Sequence, residues 1–520
     1  MKDKRNLAIR YFSWALLAAA YVFVVVFIHM NCWNQMDADF ASEMYLAKIL
    51  STGNGIITTK WDYSTEIRVL GTQIITSFLF RFSNDWRLIR TISSAIHILI
   101  ALGAFYYLLK VLKVEKHFPI AALMIVLPTS WIYLRFYTLF IGYYPHMMIT
   151  MTAAALILDK WKSKKKETVR KVLIVLLSLG AGLGGPRMLV VFFFPLALTM
   201  LILMKSHKEE LEGKQYYTWL AFGSNVIGTV INMKVLPKFF SVQDFTQLSF
   251  KFFDMNILGD NITYFIRCLG YVEGKFDWRI LSYNLSFAII FFMSIFAFYL
   301  GIKSKEIVPK IMSSYIAVAW VFYFVLQMFV MRDTVDRYMM PISVMMLPMC
   351  VCNIARCLPD IEKPNYRKFL IEALTMIVAV VSFIRVQEFL KVDYAAKWRG
   401  AADYMVENEI RTGYCTFWNA NNIVEYSNGY VDMYHWGSSE DINLSDPSSL
   451  RHWLQPKSHF DGFPEGKLAV VLVKDEYDNC SLKDVLDVME PAYENDDLIL
   501  YTFNSVDELL EYVKAYSTCC

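Results

Sequence analysis

The sequence predicts a polytopic α-helical membrane protein of about eleven transmembrane helices, followed by an acidic soluble α/β domain outside the membrane. Three observations carry that prediction. The 520 residues are 56% hydrophobic and 16% aromatic, with a mean hydropathy of +0.36. The apolar residues are gathered into long unbroken runs, which a soluble core does not need. The charge is unevenly shared along the chain, although the formal net is only +3. From Asp393 onward there are 9 Lys and Arg against 23 Asp and Glu, a net of −14, which leaves +17 on the preceding residues. That break divides a transmembrane part, 1–392, from a soluble part, 393–520.

The opening run Tyr11–Met30 holds no acid, Lys or Arg, and about 20 such residues cross a bilayer core. It lacks the small-residue cleavage site of a signal peptide, so it reads as a retained helix. Further spans are expected at Leu88–Leu109, Phe118–Leu134, Tyr137–Leu158, Val172–Gly184, Met188–Met204 and Tyr216–Leu236. The series ends with Leu285–Leu300, Ile311–Met331, Tyr338–Cys357 and Phe369–Leu390.

Val69–Phe82 is an exception, because about 14 residues fall short of a span. Its polar residues Arg68, Thr72 and Thr76, with Gln73, Ser77 and Arg81 beside them, recur at helical spacing. The pattern is that of a helix lying on the membrane surface.

Basic loops set the orientation. Eleven spans with an outward-running first helix put the Asp159–Lys171 loop, with seven basic residues, in the cytoplasm. A twelfth span at Val69–Phe82 would put it outside. The N-terminus is then cytoplasmic, the chain a multi-pass plasma (inner) membrane protein, and the 393–520 domain extracytoplasmic. Also outside are the loops 31–87 and 237–284 and the turns at Arg135, at Gly185–Arg187 and at Arg332–Arg337.

In the tail, helices are expected at Tyr394–Ile410, Ala420–Ser427, Leu482–Met489 and Val506–Ala515, and strands at Tyr414–Trp418, Leu468–Val473 and Leu498–Phe503. This alternation reads as a small α/β domain without a glycine-rich phosphate loop. The basic charge sits in short blocks between apolar runs, which excludes a nucleic-acid partner. Cys350, Cys352 and Cys357 have no set of partner ligands for zinc. The terminal Cys519–Cys520 reads as two plain thiols. Asn261 and Asn443 begin glycosylation sequons that matter only in a eukaryotic secretory setting.

The first outside loop carries the chemistry. Asp37 and Asp39 follow the outer end of the first helix, and Glu43 stands four residues after Asp39, on the same face of any helix that begins there. Carboxylates at this boundary serve as general bases or metal ligands, so a divalent metal is possible. Capping of the following helix is the alternative role. Trp61, Tyr63 and Glu66 offer the aromatic faces and carboxylate that bind sugar rings, or the aromatics belong to a membrane-interface belt.

The order Asp37, Asp39, Ala47-Lys48-Ile49-Leu50, Gly53, then Trp86, Arg90 and Ser93-Ser94 resembles the bacterial branch of the C superfamily of glycosyltransferases (GT-C), of the family 39 type. The string TFWNANNIVEYSNG at Thr416–Gly429 is similar to part of that branch's outside domain. The resemblance implies an inverting transfer of a sugar from a polyprenyl-phosphate donor to a glycan, lipid or protein acceptor on the outer face. Asp37 takes the place of the essential first-loop carboxylate, with Asp39 next.

The lipid-phosphate leaving group needs fixed positive charge. Arg187, Arg332 and Arg337, the last followed by Tyr338, stand at the right depth, where lipid headgroups also attract arginine. Many relatives carry a second acidic site in the next outside loop. Here that stretch holds Tyr144 and His146 instead, and the imidazole is either a base or ligand or a buried helix histidine. A flippase or transporter of lipid-linked glycans is the rival reading. It calls for charges at the bilayer midplane and internal repeats, whereas the span centres are nearly charge-free and no internal repeat is found.

Overall fold

A computed structural model describes residues 2–53, 55–159, 163–243, 252, 254–275, 277–331, 335–358, 366–390, 393–440, 442, 444 and 446–516. Arg332, Asn443, Cys519 and Cys520 lie outside the described residues.

Among the described residues, eight helices are long and apolar enough to cross a membrane: Arg10–Gln35, Trp86–Val111, Leu189–Leu211, Lys214–Lys238, Trp278–Lys303, Ile307–Phe329, Asp336–Cys357 and Phe369–Glu388. The chain is a multi-pass membrane protein. The other three of the eleven expected spans are helical but depart from the simple picture. The Phe118–Leu134 span is broken into Glu115–Val126 and Trp131–Leu139, which meet at 84° and bring the total to nine if counted as one. Pro128 forces the break: it drives Leu127 into an extended conformation, and Ser130 caps the new helix by accepting from the Tyr133 N–H at 3.0 Å.

Tyr144–Leu158 has only 15 residues. Lys164–Gly182 opens on three lysines, which shortens its apolar part. It packs closely on Lys214–Val230 because Gly182 faces Gly228: a Cβ on Gly182 would stand 2.2 Å from the Asn225 carbonyl oxygen.

The expected surface helix forms at Gln73–Leu79. Thr72, Gln73 and Thr76 are buried against the protein while Phe78 and Phe82 are exposed. Its apolar edge therefore faces outward, as an interfacial helix requires.

Seven strands are present among the described residues: β1 (Trp61–Asp62), β2 (Thr412–Thr416), β3 (Asp432–Trp436), β4 (Gln455–Pro456), β5 (Leu468–Val473), β6 (Tyr493–Glu494) and β7 (Leu498–Phe503). Five form one sheet in the order β3-β2-β5-β7-β6, parallel across β3-β2-β5 and antiparallel beyond. The apolar run of β5 is central and buried. β3 and β6 extend the three strands expected from the sequence.

The tail is joined to the loop 31–87 by a dense polar contact. Strand β1 pairs antiparallel with β4. Arg90, at the head of helix Trp86–Val111, grips Glu425 through two bonds, Nε to Oε1 at 2.8 Å and Nη2 to Oε2 at 2.6 Å, with both side chains buried. The Trp86 N–H donates to Asn428 Oδ1 at 2.9 Å, and Asn421 donates to Ser42 Oγ at 2.6 Å. The Tyr45 hydroxyl donates to Asp432, which also meets His459 at 3.0 Å. First loop and tail therefore stand on the same side of the bundle.

Candidate active site at the rim of the bundle

Asp37 ends the turn after the opening helix and caps helix Ala38–Ser51. Its Oδ1 accepts from the Phe40 N–H at 3.2 Å, while Oδ2 accepts from Arg135 at 2.7 Å. The cap and the ion pair with Arg135 thus fall to different oxygens of one carboxylate. Burial raises the Asp37 pKa, the neighbouring Asp39 raises it further, and Arg135 opposes both. Asp39 faces Arg337 at 3.6 Å.

One helical turn further on, Glu43 receives Arg68 at 2.6 Å on one oxygen and the Thr72 hydroxyl at 2.6 Å on the other. Arg68 bridges to Glu66 at 3.2 Å, and Glu66 also meets Arg187 at 3.6 Å. Gly185 makes that last contact possible. Its φ of +98° suits only glycine, and a Cβ there would stand 2.3 Å from Glu66 Oε2. Arg187 donates to the Tyr143 hydroxyl at 3.3 Å and lies over the Tyr338 ring at 4.8 Å. Burial works against the charge on Arg68 and Arg187. Glu43 and Glu66 outweigh it at Arg68, and Tyr143 with Glu66 at Arg187, so both pKa values stand above the ordinary arginine value.

The site residues expected from sequence divide into two groups. Asp37, Asp39, Glu43, Glu66, Arg187, Arg337 and Tyr338 come together at this rim, drawn from the first loop and the turns near 187 and 337. His146 joins them in a small recess shared with Glu43 and Arg68, while Tyr144 is fully buried behind it. Trp61 and Tyr63 do not join. Trp61 is 0% and Tyr63 4% exposed; they pack in a separate cluster beneath β1, with Tyr63 accepting from the Thr58 N–H. The expectation that they bind sugar is corrected on that ground, since a ring with no free face offers none to a substrate.

Sequence reasoning left out Arg68, Arg135, Thr72 and Tyr143. The signal for the arginines was present, since each stands where an apolar run meets a turn.

Below the rim, a cavity of about 170 Å³ runs through the membrane part. It begins between His117 and Glu372, passes Met293 and Leu347, and reaches Tyr133 and Cys268. The Cys268 thiol contacts the Asp336 carbonyl oxygen at 3.3 Å, so one lining residue of the cavity lies against the residue next to Arg337.

Each rim carboxylate faces a guanidinium within 4 Å, and no group of three or more metal-ligating side chains gathers among the described residues.

The same arrangement of helices and tail recurs in solved structures. A crystal structure of ArnT from Cupriavidus metallidurans bound to undecaprenyl phosphate matches with a TM-score of 0.57 and 12% identity, over 94% of this chain and 97% of that one. The chain shares its fold with ArnT. The apo oligosaccharyltransferase of Archaeoglobus fulgidus matches this chain with a TM-score of 0.52 and 11% identity, over 91% of this chain and 71% of that one. AglB from Archaeoglobus fulgidus, in complex with an inhibitory peptide and a dolichol-phosphate, matches with a TM-score of 0.51 and 10% identity, over 89% and 69%. No protein-family model and no curated protein matches the sequence.

Proposed function

We propose that the protein is a membrane glycosyltransferase that moves a sugar from a polyprenyl-phosphate donor to an acceptor hydroxyl on the outer face of the membrane, with inversion. The observation that carries this reading is the ring of carboxylates and arginines beside an apolar cavity, on the fold shared with ArnT. The cavity suits the first units of a lipid chain. The rim arginines suit its phosphate, and the half-buried carboxylate of Asp37 beside them suits the removal of a proton.

The reaction balances without any further component. The acceptor oxygen attacks the anomeric carbon from the face opposite the phosphate and forms the new C–O bond. The bond from that carbon to the phosphate oxygen breaks, and its electron pair leaves with the lipid phosphate. Asp37 Oδ2 takes the acceptor proton. Arg187 and Arg337 stabilise the charge that develops on the departing phosphate.

Arg135 and Arg337 are occupied by Asp37 and Asp39 in the resting arrangement. An entering phosphate competes for those guanidiniums and loosens the carboxylates. Asp37 then becomes a stronger base at the moment the donor is in place. Basic loops on the far side support a cytoplasmic N-terminus, which leaves the rim and the tail outside.

The test is an assay of purified wild-type and Asp37→Asn protein against a panel of polyprenyl-phosphate sugars and acceptors. The wild type is expected to transfer or hydrolyse at least one donor, and Asp37→Asn to lose about 10²- to 10⁴-fold in rate. A wild type that consumes no donor, or an Asp37→Asn protein with full rate, overturns the reading.

A further inference from the structure

Arg385 stands in the last turn of helix Phe369–Glu388 and is only 5% exposed. An arginine that serves lipid headgroups at the end of a span keeps its charge in the interface; this one turns inward. Its Nη1 donates to the Thr129 carbonyl oxygen at 2.6 Å and its Nη2 to the Gly270 carbonyl oxygen at 3.0 Å. The nearby Glu388 pairs with Arg279 at 3.3 Å instead. Both acceptors lie on irregular backbone. Thr129 follows Pro128 in the break between Glu115–Val126 and Trp131–Leu139. Gly270 follows helix Met255–Cys268 with a φ of +109°, and a Cβ on it would stand 2.5 Å from the Thr129 carbonyl oxygen. Glycine thus lets the two segments close to within reach of one guanidinium fork.

Each segment leads to one rim arginine. Thr129 runs into helix Trp131–Leu139, which carries Arg135 to Asp37 at 2.7 Å. Gly270 adjoins the helix end at Cys268, whose thiol contacts the Asp336 carbonyl oxygen at 3.3 Å, next to Arg337 and its partner Asp39 at 3.6 Å. Thr129, Cys268 and Leu269 also line the cavity, so the fork holds cavity wall and rim supports together.

We propose that Arg385 is a positioning residue of the transfer reaction: its one planar group fixes the segments bearing Arg135 and Arg337 relative to each other, and so sets the gap in which the donor phosphate meets Asp37 and Asp39. The inference rests on the transferase reading and adds the residue that holds its geometry. The two donors of a guanidinium keep a fixed spacing, so a shift of either segment is passed to the other. A misplacement of about 1 Å among reacting groups costs about a hundredfold in rate.

The experiment compares the wild type, Arg385→Met and Gly270→Ala as full-length proteins in lipid nanodiscs. Methionine fills much of the same space without donors. Alanine leaves Arg385 in place and pushes the two segments apart. Backbone hydrogen–deuterium exchange, read by mass spectrometry, needs no substrate. Both variants are expected to exchange about threefold faster or more in two places, 131–139 and 336–340, with the tail strands unchanged. In assays with the donor that the panel identifies, kcat should fall about 10- to 100-fold. The acid limb of the pH–rate profile should move to higher pH, because Asp37, which faces Asp39 and Arg135, loses the guanidinium that lowers its pKa.

Faster exchange in only one of the two places, in neither, or equally throughout the tail overturns the proposal. So does a fall in kcat that follows the melting temperature while the acid limb stays, which marks a structural role. If Arg385→Met does not fold, Gly270→Ala decides alone. The two readings fail separately. Paired loosening in a protein that consumes no donor removes the transferase reading and keeps Arg385 as the link between the segments, whereas transfer with an unmoved acid limb in both variants does the reverse.

Discussion

Glu425→Gln tests how the tail is held over the rim. Arg90 and Glu425 are 3% and 0% exposed and form two bonds of 2.8 and 2.6 Å. Arg90 also donates to the Phe40 carbonyl oxygen at 3.2 Å, within the first turn of the helix that Asp37 caps. An amide keeps the shape and one acceptor but leaves the Arg90 charge without a counterion. Removing one partner of a buried pair costs about 3–5 kcal/mol, and the retained acceptor places this change near 3. At 1.4 kcal/mol per tenfold, the joint should open roughly a hundredfold more often. The assay is native-state proteolysis of the tail in detergent, at protease levels where cleavage follows the population of the open form. The double variant Arg90→Met/Glu425→Leu should return within about 1 kcal/mol of the wild type, because apolar side chains of similar size remove the stranded charge. Less than a threefold rise in opening for Glu425→Gln, or a double variant that opens as readily as the single one, refutes the reasoning.

Four further outcomes are expected. The acid limb of the activity profile should reflect Asp37, whose pKa is raised by burial and by Asp39; Asp39→Asn should move that limb to lower pH, as a pH–rate profile will report. The folded protein holds the Asp37 proton more tightly than the unfolded chain does. Its contribution to stability is therefore present in acid and is lost as pH rises through the folded value, and Asp37→Asn should flatten that slope in thermal melts. Gly185→Ala combines a φ of +98° with a contact of 2.3 Å on Glu66; it should cost about 1–3 kcal/mol and displace Arg187, seen as a higher KM for the lipid donor. Trp61→Phe should lower the melting temperature while leaving KM unchanged, since the indole is buried in the joint.

The span count and the rim were legible to different degrees, for identifiable reasons. Hydropathy reports composition over a window, so it found the long apolar helices directly. It also ran through Pro128, because one proline hardly alters the average. The geometry there depends on a single missing N–H, and the 84° bend that results carries the chain on to Arg135. Arg135 is the residue that reaches Asp37 at 2.7 Å. The stretch read as a departure, with no second acid, thus supplies a cation to the first acid. Trp61 and Tyr63 failed in the opposite sense. Aromatic residues beside carboxylates look alike whether they line a site or a joint, and only the pairing of β1 with β4 separates the two. That pairing links residues almost 400 positions apart, and no local pattern encodes it. Arg90 and the Thr416–Gly429 string stood out in the sequence as separate signals. Their meeting through Glu425 joins them into one device, which sets the tail against the helix that presents Asp37. The proposed transfer chemistry therefore depends on a joint that the spacing of neither segment reveals.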